Sequence, residues 1–132
     1  MAMDAVLNLY KRKSETPLQT VERYVRAHPE YAKARMTYAG RLDPMAEGVL
    51  VVLSGEKNKE RDTYTGLDKD YEFEFILGVD TDTFDVLGKI TGKKGVATAG
   101  DIASTEGAVR SAFKKYAGKI EQKYPPYSSK VL

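Results

Sequence analysis

The strongest constraint on the fold is a short apolar run at residues 48–53, Gly-Val-Leu-Val-Val-Leu, which is followed by Ser54 and Gly55. Its length and its β-branched residues favour a buried strand over a helix. Two further segments, at residues 70–78 and 86–91, also predict strands. Strands that follow one another without long intervening helices are typical of an α+β fold. We therefore expect an α+β domain with a mixed, largely antiparallel sheet and flanking helices.

Local patterns predict the remaining elements. Loose apolar and polar alternation predicts a strand, and apolar spacing of three and four behind a Thr-Pro cap predicts a helix. The clear alternation at residues 70–78 predicts one buried aromatic face and one exposed acidic face. The expected order is a strand at residues 4–10, a helix from the Thr16 cap to about residue 27, strands at 48–53, 70–78 and 86–91, and a helix from Ser104 or Thr105 to Gly118.

Composition limits the chemistry that the chain can perform. The 132 residues predict a single domain, and they contain no cysteine and one histidine. Disulfides, thiolate nucleophiles, iron–sulfur clusters and cysteine-based zinc sites are thereby excluded. The sequence has neither a phosphate-loop motif nor a signal peptide, and an intracellular, cytoplasmic protein is expected. Its chemistry should depend on carboxylates, tyrosines, hydroxyls or lysines.

The charges are unevenly distributed along the chain. Residues 1–41 have eight basic and four acidic side chains, residues 42–90 have five and twelve, and residues 91–132 have eight and three. Clustered Lys and Arg residues at both ends are compatible with binding to the phosphates of a nucleic acid. Solvated helix faces, however, account for most charge blocks of this size.

The segment at residues 40–50, Gly-Arg-Leu-Asp-Pro-Met-Ala-Glu-Gly-Val-Leu, places Asp43 on a turn beside the buried strand. Pro44 favours an extended conformation at Asp43, and glycines on both sides allow a ligand to approach the backbone closely. A carboxylate held in this way could act as a nucleophile or a general base. The same pattern also fits an aspartate that only hydrogen-bonds the local backbone.

Three motifs occur in the order seen in a known enzyme family. Residues 39–50 closely resemble the catalytic-aspartate motif of TruB-type tRNA pseudouridine synthases. Lys69-Asp70-Tyr71 and the segment at 77–88 resemble the tyrosine segment and the Thr-Asp-Thr-x-Asp-x-x-Gly loop of that family. Residues 122–130 are similar to its Gln-Pro-Pro-Tyr-Ser-Ala-Lys segment, with the spacing shifted by one residue. The resemblance extends over nearly the whole chain.

The resemblance implies isomerisation of a uridine to pseudouridine in the T-loop of tRNA, without a metal or an organic cofactor. Asp43 matches the nucleophile of the family, which attacks the flipped uracil or its ribose. Tyr71 matches the residue that stacks on the flipped base, although the alternation with Phe73 and Phe75 equally fits core packing. Further residues are expected to contact the RNA or to support the site: Lys11, Arg12, Lys13, Tyr38, Arg41, Tyr127 and Lys130.

The sequence also departs from the family. The first family motif is Lys-Pro-x-Gly, whereas this chain has Lys11-Arg12-Lys13-Ser14, and Tyr38 replaces a histidine. The family's catalytic domain continues beyond the equivalent of Leu132, so we expect the first part of a catalytic domain, without the second half or an RNA-binding tail domain. A half-domain would have an exposed sheet edge, which predicts a homodimer. It would also lack the arginine that pairs with the aspartate in the family, which predicts weak or no turnover. The alternatives are a catalytically silent RNA-binding or tRNA-folding module and an unrelated α+β interaction domain.

Overall fold

The protein has an α+β fold with antiparallel sheets and three helices, as predicted. The computed structural model describes residues 3–95, 101–123 and 125–127. The chain divides into two compact units, Met1–Tyr71 and Glu72–Leu132. The single-domain organisation stays a prediction. The elements are β1 (Ala5–Lys11), α1 (Pro17–Ala27), β2 (Met36–Ala39), β3 (Gly48–Ser54), α2 (Arg61–Thr65), β4 (Val79–Thr81), β5 (Ile90–Lys93) and α3 (Asp101–Lys115), with 3₁₀ helices at Pro29–Tyr31 and Gly55–Glu60.

The first unit is built on a three-stranded antiparallel sheet in the order β1-β3-β2. The predicted apolar run forms the central strand β3. Leu9 of β1 pairs with Leu50 of β3, and Leu9, Leu50 and Val52 form the buried core cluster. Alternate side chains of a strand point to opposite faces, so these residues share one face of the sheet. The partly buried residues that pack against the cluster are Leu7, Val21, Tyr24, Met36 and Tyr38.

Helix α1 packs on this face, and its ends confirm the sequence prediction. Thr16 is the N-cap and forms a capping box with Gln19, while Pro17 occupies the first turn. His28 caps the C-terminal end and precedes Pro29, which begins the first 3₁₀ helix. Two residues of α1 belong to the shell around the core cluster, which places the helix against the sheet.

The sequence analysis missed β2, a four-residue strand at the edge of the sheet. Among the described strands it pairs with β3 alone, through a register that joins Met36 to Ser54 and Ala39 to Val51. Four residues are too few to show a clear alternation, and β2 follows a turn without a strong apolar run. This strand matters because the segment between β2 and β3 contains Asp43.

The second unit contains a short hairpin of β4 and β5 and the helix α3. Strand β4 lies in a segment that was predicted as a loop, and β5 begins at Ile90 rather than at residue 86. Helix α3 begins at Asp101, three residues before the predicted cap Ser104, because Ser and Thr are tolerated inside helices as well as at caps. Among the described residues, no helix has the length and apolarity needed to span a membrane.

The prediction of a strand at residues 70–78 is wrong. Residues 68–76 form neither helix nor strand, and Leu77 and Gly78 lie in a turn. The side chains of Phe73 and Phe75 are 63% and 50% exposed. A strand requires the backbone of a neighbouring strand for its hydrogen bonds, and none of the described residues pairs with this segment.

Candidate active site

The Asp43 loop, residues 40–47, connects the edge strand β2 to the central strand β3. Gly40 at its start and Gly48 just after it have φ angles of 87° and 133°, which residues other than glycine rarely adopt. Inside the loop, the amide of Ala46 donates to the carbonyl of Asp43 at 2.9 Å and closes a tight turn around Pro44. The two glycines and this turn fix the direction in which the loop leaves the sheet.

The Asp43 side chain is exposed at the start of this turn. Within the described part of the chain, its carboxylate accepts no backbone or side-chain hydrogen bond, because the turn is closed by its main-chain carbonyl instead. This arrangement does not fit the alternative in which the Asp43 carboxylate only hydrogen-bonds the local backbone. Over the same residues, no three His, Asp or Glu side chains are grouped as metal ligands.

The buried lysine at the end of β1 hydrogen-bonds the backbone of the Asp43 loop. Lys11 is 0% exposed, and its ammonium donates to the carbonyls of Ala46 at 2.5 Å, Arg12 at 3.2 Å and Pro44 at 3.4 Å. A buried charge requires such partners, since its desolvation is otherwise costly. The RNA contact predicted for Lys11 does not fit this position, because no part of the side chain reaches the surface. The signal was present in the sequence: strand alternation places Lys11 on the same face as Leu9.

A second contact to the loop comes from the segment after β1. The amide of Ser14 donates to the carbonyl of Pro44 at 2.7 Å. Ser14 has a φ of 66°, in the left-handed region that favours glycine. The family motif Lys-Pro-x-Gly has a glycine at this position, whereas this chain has Ser14 in a conformation that favours glycine. Sequence analysis did not assign Ser14 to the site.

Tyr10 and Glu47 form the rim of the loop. A hydrogen bond to the Glu47 side chain is the main reason why the pKa of the Tyr10 hydroxyl is raised, followed by partial desolvation and the negative charge of Glu47. The Tyr10 ring is 56% exposed. An exposed aromatic ring therefore lies beside the loop that contains Asp43.

The other first-unit residues predicted to contact RNA, three basic residues and one tyrosine, have different environments. Arg12, Lys13 and Arg41 are exposed and remain available to phosphate groups. Tyr38 is partly buried and packs against the core cluster, and its carbonyl accepts a hydrogen bond from the Arg61 side chain at 3.2 Å. Packing accounts for most of the Tyr38 surface, so its RNA contact stays a prediction without geometric support.

The remaining predicted site residues lie outside the sheet of the first unit. Tyr71 is the last residue of that unit, 70% exposed and in an irregular segment rather than on a strand. Tyr127 belongs to the second unit, where its amide donates to the carbonyl of Asp82 at 3.4 Å. Lys130 lies outside the described residues. The structure thus brings Lys11, Ser14 and the Asp43 loop together.

Comparison with known proteins identifies the family. A family model described as "TruB family pseudouridylate synthase (N terminal domain)" matches residues 28–132, which include Asp43, Tyr71 and Tyr127. The chain belongs to the TruB family. The matched range begins after Lys11 and Ser14, so the contacts that these residues make to the Asp43 loop are features of this chain that the family match does not cover.

Individual relatives extend the similarity to nearly the whole chain. A tRNA pseudouridine synthase B of Aquifex aeolicus is 31% identical over 131 residues, 98% of this chain and 42% of the relative. The protein of the same name from Aromatoleum aromaticum is 36% identical over 130 residues, 96% and 38% of the two chains. That of Burkholderia mallei is 34% identical over 128 residues, 97% and 39%. The TruB chain described above spans about two fifths of these relatives.

Proposed function

We propose that this chain acts in the isomerisation of a T-loop uridine of tRNA to pseudouridine, with Asp43 as the nucleophile. The observation that carries the proposal is the exposed Asp43 carboxylate on a tight turn, held at both ends by left-handed glycines and lying inside the range matched by the family. The relatives are named tRNA pseudouridine synthase B, which supports tRNA as the substrate class.

The proposed reaction needs a carboxylate and no redox partner. Asp43 attacks the flipped uracil or its ribose, and the glycosidic bond between N1 and C1′ breaks. The base turns, C5 bonds to C1′ and the bond to Asp43 breaks, C5 loses its proton and N1 gains one, so that the product is an isomer of the substrate and the carboxylate is regenerated. A carboxylate exposed on a hydrogen-bonded turn suits this role because the turn holds it at the surface before attack.

Tyr71 is proposed to stack on the flipped base and to assist removal of the C5 proton through its hydroxyl. Flipping a base costs a few kcal/mol, and stacking on an aromatic ring returns about 1–3 kcal/mol. The high exposure of Tyr71 supports this role, since its ring is free of core packing. Core packing, the other explanation of the residue, does not fit a ring that is 70% exposed.

Exposed basic side chains near the loop are proposed to bind the phosphates of the tRNA. Arg12, Lys13 and Arg41 meet the requirement of exposure. Contacts of this type orient the RNA and add affinity without reading the sequence. Tyr127 and Lys130 stay predicted contacts, and a cytoplasmic location stays a prediction.

Covalent capture by a T-loop stem-loop that contains 5-fluorouridine tests the nucleophile. The wild type is expected to form a denaturation-resistant complex, and Asp43→Ala should lose it by at least about a hundredfold, since nothing else replaces the attacking group. Asp68→Ala removes another exposed carboxylate of the first unit and is the matched control. Equal capture by the wild type and Asp43→Ala would refute the role of Asp43.

The same assay separates the enzyme from the second candidate, a catalytically silent RNA-binding or tRNA-folding module. That candidate is favoured by the exposed side chains of Arg12, Lys13 and Arg41, since basic groups bind phosphates without any chemistry. It predicts that the wild type binds the stem-loop reversibly and that Asp43→Ala binds it equally well. Reversible binding without a covalent complex would establish the silent module for this chain.

A homodimer is also proposed. Strands β1 and β2 form the two edges of the three-stranded sheet, and an edge strand exposes N–H and C=O groups that can pair with another chain. Sedimentation equilibrium over a concentration series should show a monomer–dimer association. A single monomeric mass at the highest concentration would contradict it.

A further inference from the structure

The starting observation is a closed turn between β1 and α1, which we call the entry loop (residues 12–16). The amide of Arg12 donates to the Glu15 carboxylate at 3.0 Å, and the amide of Glu15 donates back to the Arg12 carbonyl at 3.1 Å. These reciprocal bonds enclose Ser14 in its left-handed conformation. The carboxylate of Glu15 is therefore part of the backbone geometry of the loop.

Glu15 is also the centre of a charged network on α1. Arg23 donates to Oε1 of Glu15 at 2.8 Å through Nε and to Oε2 at 3.0 Å through Nη2, and Thr20 donates to Oε2 at 3.1 Å. The same Arg23 reaches the carbonyl of Tyr10 at 2.7 Å. The two side chains of the ion pair are only 19% and 33% exposed. A two-bond, partly buried pair of this kind has a fixed geometry.

The entry loop is joined directly to the turn that holds the candidate nucleophile. The amide of Ser14, between Arg12 and Glu15, donates to the carbonyl of Pro44, the residue after Asp43. Any shift of the entry loop must therefore move this hydrogen bond or break it. A continuous series of contacts runs from Arg23 through Glu15 and Ser14 to the Asp43 turn.

We propose that Glu15, held by Arg23, is a positioning residue that fixes the Asp43 turn through the Ser14 amide. The proposal rests on the proposed function for the chemical role of Asp43, but the contact from Ser14 to Pro44 can be tested without it. Glu15 does not touch the reacting atoms. Its effect is expected on the orientation of the carboxylate rather than on RNA affinity.

The sequence supports the need for such a residue. In the family motif Lys-Pro-x-Gly, the proline restricts φ and the glycine accepts a left-handed conformation. This chain has Arg12 and Ser14 at those positions, so the backbone alone fixes the loop less well. The four hydrogen bonds to the Glu15 carboxylate supply the missing restraint.

Amide hydrogen exchange by NMR tests the structural half of the proposal. Glu15→Gln keeps the size of the side chain and removes its charge. The Ser14 amide should then exchange at least about tenfold faster, while the amides of the β1–β3 ladder keep their wild-type rates and report that the sheet is folded. Arg23→Lys keeps the positive charge but loses the two-bond geometry, and a smaller acceleration is expected. Glu106→Gln breaks the exposed pair with Arg110 and is the control that should change neither rate.

Capture of the 5-fluorouridine stem-loop tests the functional half. Glu15→Gln should slow the rate of covalent capture by about tenfold or more and leave the dissociation constant of the RNA within about twofold. A purely structural role in stability would not separate these two quantities in a protein that is shown to be folded. Glu15→Asp retains the charge and should recover part of the lost rate.

The possible outcomes are distinct. An unchanged Ser14 exchange rate in Glu15→Gln overturns the proposal, whatever the RNA does. Faster exchange with an unchanged capture rate also overturns it, because the turn would then not depend on Glu15 for its activity. A wild type that captures no RNA refutes the proposed function, while the exchange rates still decide whether Glu15 positions the turn.

Discussion

The two units of the molecule differ in how their apolar residues are used. In Met1–Tyr71, one sheet face and α1 enclose Leu9, Leu50 and Val52, and even the ammonium of Lys11 is buried. In Glu72–Leu132, none of the side chains whose burial the structure describes, those of residues 72–95, 106–123 and 125–127, is buried. There the rings of three phenylalanines meet at centroid distances of 6.0–6.4 Å yet remain about half exposed or more: Phe73, Phe75 and Phe113. The segment at residues 70–78, whose apolar side chains are exposed, forms no strand there.

The largest expected effect compares one leucine from each unit. Leu50→Ala removes a side chain that is 2% exposed and should lower the free energy of unfolding by about 2–5 kcal/mol. Leu87→Ala, at a position that is 66% exposed, should change it by less than about 0.5 kcal/mol. Urea denaturation followed by circular dichroism measures both. Similar losses for the two variants would break the comparison.

The next prediction concerns the pH dependence of the two Arg–Glu pairs. Hydrogen bonds from Arg23, then from the Arg12 amide, lower the pKa of Glu15 from 4.5 to about 2. A lowered pKa means that Glu15 stabilises the fold above pH 4.5, and that this contribution is lost as the pH falls towards 2. The stability difference between the wild type and Glu15→Gln should therefore shrink over that range, as measured by urea midpoints.

A matched control for this pH dependence is Glu106→Gln in the second unit. The pair of Glu106 and Arg110 is largely exposed and contributes little to stability. Its urea midpoints should follow those of the wild type at every pH. A Glu15→Gln difference that stays constant from pH 4.5 to 2 would contradict the assignment.

The smallest expected effect uses the two residues other than glycine that have a positive φ among those described. Ser14→Gly should raise the free energy of unfolding by roughly 0.5–1 kcal/mol, because relief of the left-handed strain exceeds the added entropy of the unfolded chain. Phe84→Gly, with a φ of 61°, should leave the main unfolding transition unchanged, since it lies in a unit whose described side chains are not buried. Destabilisation by Ser14→Gly would show that Ser14 has a role beyond its backbone.

Sequence patterns predicted the parts of the fold that depend on neighbouring residues. The Thr16 cap with Pro17 defined the start of α1, and the apolar run at 48–53 defined β3. The alternation at 70–78 was equally clear but failed, because a strand also depends on a partner strand that the pattern cannot supply. The short strand β2 was missed because its four residues form a strand only through their register with β3.

The same distinction between local and distant contacts applies to the candidate site. Asp43 was singled out because its turn, its proline and its two glycines lie next to one another in the sequence, whereas its role as the nucleophile is implied by the resemblance to the family. Lys11 was assigned to the RNA because its partners, Pro44 and Ala46, lie 33 and 35 residues away. Strand alternation indicates the buried face of Lys11, but local patterns do not reveal hydrogen-bond partners at such distances, and the same holds for the bond from Ser14 to Pro44.

The buried ammonium at the end of β1 has a consequence for the order of folding. Its bonds to the carbonyls of Pro44 and Ala46 close a loop of more than thirty residues, which includes α1 and β2. Closing such a loop costs chain entropy that only the assembled sheet repays. We therefore expect the turn that presents Asp43 to reach its final shape late, after β3 has paired with β1. During synthesis, we expect a ribosome-bound chain to form this turn only once residue 54 has emerged.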